Sequence, residues 1–230
     1  MADSSLLMPT ADEAYKEARA RLRSAEIDLR DRIEAVAAMR RALPPGPVVP
    51  NYVFIDENGD RVSLSDLFEG DKPYLIVYHL MYWDKDDEFC PMCSLWIDGF
   101  NGIAPHLTQR VNFVVASRAP LEKLKAWGAH RKWRRLRLLS DDGPAFARAI
   151  DAEDAEGNPD STIVVFAKDG DRIRHVYTAH PMLEDRERGI DLLCPLWNLL
   201  DLTPGGRGED WYPSNDAFDA SMHALAGHPS

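Results

Sequence analysis

The sequence predicts an α/β protein, a central mixed sheet covered by helices on both faces, preceded by a long amphipathic helix. Three observations predict it. Short runs rich in Val, Ile, Tyr and Phe alternate with helix-like stretches between residues 51 and 179. Two of those runs, "LIVYHL" and "NFVVAS", lack polar alternation, as strands buried on both faces do. Residues 11–43 carry a single apolar stripe on an otherwise charged segment.

The elements follow in order. Tyr15, Leu22, Leu29, Val36 and Leu43 recur every seven residues, with Ala18, Ala25 and Met39 three positions after three of them. Arg32 interrupts that seam, so a long coiled coil is not expected, and the stripe should pack on the domain or pair briefly with a second copy. "PPGPVVP" at 44–50 ends the helix, because proline lacks a donor and clashes with helical geometry. "NYVFIDENGDRVSLSDLF" at 51–68 reads as a hairpin turning at Asn58-Gly59, followed by a short helix capped by Ser65. A buried strand covers 73–82, and a helix begins at the cysteine pair, with Gly99, Gly102 and Pro105 loosening its later turns. Then come a strand at 111–117, a helix at 119–130, a strand at 135–140, a short helix at 143–150 and a hairpin at 161–179 turning at Asp169-Gly170. Residues 187–202 read as helical, bent or begun by Pro195, and a Gly/Pro-rich tail after Pro204 wraps the surface. The chain thus divides into an arm and linker at 1–46, a domain at 47–204 and a tail at 205–230.

With 230 residues and a net charge of −11, the chain lacks the basic face that a nucleic-acid binder needs. The basic run "HRKWRRLR" reads as a solvated helix end. No window reaches the roughly 18 apolar residues that span a bilayer, and the N-terminus has no signal-peptide pattern. A cytoplasmic protein is expected, with no nucleic-acid or membrane partner. Three cysteines are too few for a secreted disulfide framework, and in a reducing compartment a close pair is more often catalytic or metal-binding than structural.

That pair is in "DDEFCPMCSLW", where Cys90 and Cys93 open a helix behind a cluster of acids. A helix start lends a thiolate partial positive charge and free N–H groups, and Pro91 suits the first turn. In a redox dithiol Cys90 would attack and Cys93, one turn on, would resolve the mixed disulfide. His79 or Asp87 would assist proton transfer. This chemistry requires a Cys90 sulfur reachable from water and close to Cys93. Asp84, Asp86, Asp87 and Glu88 oppose it, since nearby negative charge raises a thiol pKa. The same acids favour a metal reading in which Cys90, Cys93 and His79 hold copper or zinc. An inert buried pair is the third reading. Trp83 and Trp96 flank the pair, as packing or as a substrate platform, and Arg118 after a strand could meet an anionic substrate. Cys194 reads as a small buried hydrophobe, or as a distant resolving cysteine.

A buried strand, Cys-x-x-C at a helix start, strand–helix and a hairpin together resemble the thioredoxin-like superfamily. The hairpin and "VSLSDLF" ahead of that strand resemble its peroxiredoxin-type branch, the alkyl hydroperoxide reductase/thiol-specific antioxidant proteins. Over residues 10–212, "CPMCSLWIDGFNGIAPHL", "VVASRAPLEKL" and "LDLTPGGRGED" resemble most closely the bacterial domain-of-unknown-function family DUF899. The resemblance implies a thioredoxin-like central sheet. It also implies a thiol–disulfide oxidoreductase without a required cofactor, acting on a small-molecule or protein disulfide or peroxide and recharged by a cellular reductant. The chain departs from the pattern at Trp83 and Asp87, where peroxiredoxins place proline and threonine. It departs again at Ser161, which stands in place of the proline facing the thioredoxin dithiol and would border the substrate. A non-catalytic module dimerising through 11–43 is the remaining alternative.

Overall fold

The computed structural model describes residues 10–184, 186–208 and 210–226, so the ends of the expected arm and tail lie outside the described residues. The chain divides into two compact units, up to Pro44 and from Pro45. The first is the helix α1 (Glu13–Arg41). Its N-terminus is capped by Asp12, whose carboxylate accepts the Tyr15 N–H at 2.8 Å, and Arg40 and Arg41 lie at its C-terminal end. No residue of α1 is buried.

The second unit is built on seven strands: β1 (Val53–Ile55), β2 (Arg61–Ser63), β3 (Tyr74–Leu80), and, after a small two-stranded ribbon β4 (Tyr82–Trp83) and β5 (Glu88–Phe89), β6 (Asn112–Ser117), β7 (Arg137–Asp141), β8 (Thr162–Asp169) and β9 (Arg172–Ala179). Their order is β2-β1-β7-β6-β3-β8-β9. β3, β6 and β7 run parallel, joined by the crossover helices α2 (Pro91–Leu107) and α3 (Leu121–His130). β8 and β9 form an antiparallel hairpin beside β3. The Cys-x-x-C helix α2 follows β3, which pairs with parallel β6 on one side and with that antiparallel hairpin on the other, the order expected from the thioredoxin-like resemblance.

Both faces are packed, which explains the uninterrupted apolar runs. One face carries Tyr78, Leu80, Phe89, both clustered cysteines, Trp96, Phe100 and Val115 under α2 and α3. The other carries Phe54, Leu64, Leu75, Val77, Val114, Leu139 and Phe146, the last on the short helix α4 (Ala145–Ala149). Successive residues of β3 alternate between the two clusters, as strand geometry requires.

Four local expectations need correction. The turn at Leu64–Leu67 is a 3-10 helix begun by Ser63, not Ser65; the Asp66 carboxylate accepts from the Ser63 N–H and hydroxyl, at 3.0 and 2.5 Å. α2 runs unbroken to Leu107 despite its glycines and Pro105. Residues 187–202 are not one helix bent at Pro195; a 3-10 turn (Asp191–Leu193) precedes the short helix α5 (Pro195–Leu200), which Pro195 begins, as the other alternative had it, in the first turn where its missing N–H costs nothing. The tail contains another helix, α6 (Asn215–Ala226), anchored to the end of α3 by His130–Asp219 at 2.8 Å and by the Arg131 guanidinium over the Phe218 ring at 3.5 Å. Among the described residues, no helix is long and apolar enough to cross a membrane.

Candidate active site: the cysteine pair

Cys90 is the N-cap of α2, and its sulfur accepts the Cys93 N–H at 3.4 Å. The Cys90 N–H donates to the Met81 carbonyl at 3.2 Å, tying the helix start to the end of β3. All three cysteines are free thiols. Of the two, Cys93 loses its proton first. Burial raises the Cys93 pKa, but donation from the Cys90 thiol, the Tyr78 hydroxyl, the Met81 N–H and the Ser161 hydroxyl outweighs it and brings the pKa down to about 7. Donating to Cys93, together with burial and the neighbouring charge, pushes the Cys90 thiol far up. The first thiolate of the pair is therefore on Cys93. Tyr78 is fully buried, and its phenol is raised well above the ordinary range by burial and by the charge on Cys93, so it serves as a fixed donor.

One expectation about accessibility is not met. Only 4 % of Cys90 and 2 % of Cys93 is exposed, so the sulfurs do not stand open to water. The C-terminal segment contributes to this cover. The Asn215 amide donates to the Phe89 carbonyl at 3.1 Å, next to Cys90, and Pro91 and Leu95 share a cleft with residues 211–221.

Of the sequence-predicted residues, Cys90, Cys93, Ser161 and Trp96 come together; the others do not. His79 faces the opposite side of the sheet. Its Nε2 and the Asp141 Oδ2 are 3.0 Å apart, both side chains are 1 % exposed, and its ring is 6.3 Å from that of Phe146. It can neither relay a proton to Cys90 nor complete a Cys90–Cys93–His79 metal set. Among the described residues, no group of three or more His, Cys, Asp or Glu side chains is arranged to hold a metal. Asp87, at φ 54° in the turn between β4 and β5, is paired with Lys123 at 2.6 Å and accepts the Tyr82 hydroxyl at 2.7 Å. That pairing holds its carboxyl below the usual range and turns it toward α3 rather than toward the sulfurs. Trp83 and Arg118 line a cleft of about 440 Å³ at the carboxyl edge of the sheet. Arg118 is bound to Glu153 at 2.9 Å, and Glu153 also holds Arg148 at 3.0 Å, so it is not a free cation awaiting an anion. Cys194 is buried at the start of α5, and burial pushes its thiol up.

Sequence reasoning missed Tyr78. The only available signal was parity: positions 78 and 80 share one face of β3 and position 79 takes the other. An uninterrupted apolar run does not say which face meets the cysteine helix.

Comparison with solved structures finds a cysteine-to-serine mutant of PrxQ from Xylella fastidiosa at 16% identity and a TM-score of 0.49, covering 67% of this chain and 95% of that one. Peroxidoxin BcpB from Mycobacterium tuberculosis is similar at 19% identity and a TM-score of 0.47, covering 60% and 86%. An uncharacterized conserved protein from Geobacillus kaustophilus is similar at 16% identity and a TM-score of 0.45, covering 81% and 84%. Comparison with curated proteins found no match. The model of one bacterial family matches residues 8–218, nearly the whole chain, helix α1 and the start of α6 included. The chain belongs to that family, DUF899, bacterial proteins of unknown function.

Proposed function

We propose that the protein is a thiol–disulfide oxidoreductase whose working group is the Cys90–Cys93 dithiol. The observation that carries this is the placement of two free thiols one turn apart at the start of α2, where Cys90 caps the helix and its sulfur accepts the Cys93 N–H at 3.4 Å; donation from the Cys90 thiol, Tyr78, the Met81 N–H and Ser161 holds the Cys93 pKa down to about 7. The Cys93 thiolate is the base for Cys90. As the Cys90 sulfur bonds to one sulfur of a substrate disulfide, its proton passes to Cys93 and the other substrate sulfur leaves as a thiolate. That thiolate takes the proton back from Cys93. Cys93 then attacks the Cys90 sulfur, the second substrate thiolate leaves, and the Cys90–Cys93 disulfide closes. Two electrons pass from the dithiol to the substrate, and a cellular dithiol reductant restores the enzyme.

At 4 % exposure Cys90 falls short of the open sulfur this chemistry requires, so the reading needs the cover over α2 to open during turnover, and it favours a small disulfide over a protein one. A peroxide is the other small oxidant that could reach it. Cytoplasmic placement suits a dithiol kept reduced between turnovers. A second copy paired through 11–43 belongs to the same reading, supported by the exposed Tyr15, Leu22 and Leu29 of α1. Turnover of a small disulfide with excess dithiothreitol tests the assignment. It should vanish in Cys90→Ser, and activity retained by that variant refutes it.

A further inference from the structure

Between the start of α2 and the segments that carry Ile190, Trp197 and Trp211 lies a cleft of about 220 Å³ to which the dithiol chemistry assigns no role. Its apolar walls are Met92, Trp96, Ile190, Trp197, Trp211 and Tyr212. It adjoins the first turns of the helix that carries the dithiol. Met92 stands between the two cysteines in the chain, and Tyr212 lines both this cleft and the neighbouring one that holds Pro91; burial is the main cause raising the Tyr212 phenol to about 12. The phenol stays protonated across the neutral range and keeps a donor at the mouth.

The walls are braced from behind. Trp197 and Trp211 meet edge to face at 5.7 Å, and the Arg207 guanidinium lies over the Trp197 ring at 5.1 Å. Arg207 is held by Asp191 at 2.5 Å and Asp201 at 2.7 Å, and Arg188 by Asp191 at 2.9 Å. Both arginines at the rim are thus paired, leaving no free cation for an anionic ligand. Trp211 and Tyr212 nevertheless leave 50 % and 54 % of their surface uncovered. Burying exposed aromatic surface is favourable, and an apolar cavity of roughly 150 Å³ already accommodates benzene.

We propose that this cleft binds the ring of a small, neutral aromatic disulfide and presents its sulfur to Cys90. The proposal rests on the dithiol reading above and adds the substrate class. In the reaction the protein dithiol is oxidised to the Cys90–Cys93 disulfide, and one aromatic disulfide is reduced to two aromatic thiols.

The test uses the full chain in reduced form as sole reductant, mixed with neutral dithiodipyridine or with neutral, aliphatic hydroxyethyl disulfide. Each rate is divided by the rate of the same disulfide with free dithiothreitol, which removes intrinsic reactivity. The normalised preference for the ring should be roughly tenfold or more, the equivalent of one well-buried aromatic contact. Trp211→Ala should reduce that preference. Thioanisole, a neutral ring without a disulfide, should slow the dithiodipyridine reaction and quench tryptophan fluorescence in the unmodified chain, which decides the matter even if the variant fails to fold. If hydroxyethyl disulfide reacts but the ring earns no preference and thioanisole neither competes nor quenches, the cleft assignment falls and the dithiol reading stands. If neither disulfide oxidises the dithiol, both fall.

Discussion

Removal of a single oxygen atom tests the electrostatics of the site most directly. Tyr78 is fully buried and packs edge-on against Phe100 with ring centroids 5.4 Å apart, so Tyr78→Phe keeps the ring and its contacts while deleting the hydroxyl that donates to Cys93. A hydrogen bond to a charged group contributes about 1.5–3 kcal/mol. Lost from the thiolate alone, that raises the pKa by roughly 1 to 2 pH units. Cys93 should therefore titrate near pH 8 to 9, about one to two pH units above the native value of about 7. At neutral pH the thiolate fraction would fall from about one half to about one tenth or less. The assay is the ultraviolet absorbance of thiolate followed against pH, which requires no reagent to reach the buried sulfur. Cys93→Ser in parallel identifies the step, and the Tyr78 phenol does not interfere because it ionises far higher. An unchanged or lowered midpoint in Tyr78→Phe would refute the assignment of Tyr78 as the donor that holds the thiolate.

Other expectations follow from the same geometry. His79→Phe should cost roughly 1–3 kcal/mol in chemical denaturation, because it strands the buried Asp141 carboxylate. It should leave the thiolate midpoint in place, and a moved midpoint would mean that His79 does reach the dithiol. Asn215→Ala removes the bond to the Phe89 carbonyl and should speed alkylation of Cys90 by iodoacetamide; an equal rate would show that α6 does not guard the sulfur. Gly189→Ala would drive a Cβ into the His180 carbonyl oxygen, so its melting temperature should fall, by the equivalent of roughly 1–3 kcal/mol of overpacking. Asp56 is held below the usual carboxylate range chiefly by the Asp60 N–H, against burial, and then by the Asn58 N–H. A depressed acid stabilises fully above its unfolded pKa and loses that contribution as pH falls through the folded value. Between about pH 5 and about pH 3 the native chain should therefore lose more stability than Asp56→Asn does; parallel curves would remove Asp56 from that role.

Much of the fold was legible because it follows from local chemistry. Continuous β-branched and aromatic runs name buried strands, Asp169-Gly170 names a hairpin turn where Gly170 takes φ 65°, and the Cys-x-x-C helix start follows from Pro91 after Cys90. The small ribbon of β4 and β5 was not legible, since a two-residue ladder carries no periodicity and its turn, rich in aspartate, reads as loop. Nor was α6, whose twelve residues follow a stretch of glycine and proline and depend on Arg131 and His130 for anchorage.

The amino-acid order alone determined that a sheet covered on both faces would place two cysteines one helical turn apart at a helix start. It could not determine which side of β3 those sulfurs would meet. That depends on how the helix packs across the sheet, and one residue of parity exchanges His79 for Tyr78. Nor could it determine that Trp211, Tyr212 and Asn215, more than a hundred positions away, return beside the start of α2 and help shape an aromatic cleft there. Contacts at that separation come from burial of apolar surface summed over the whole domain, which no local pattern records.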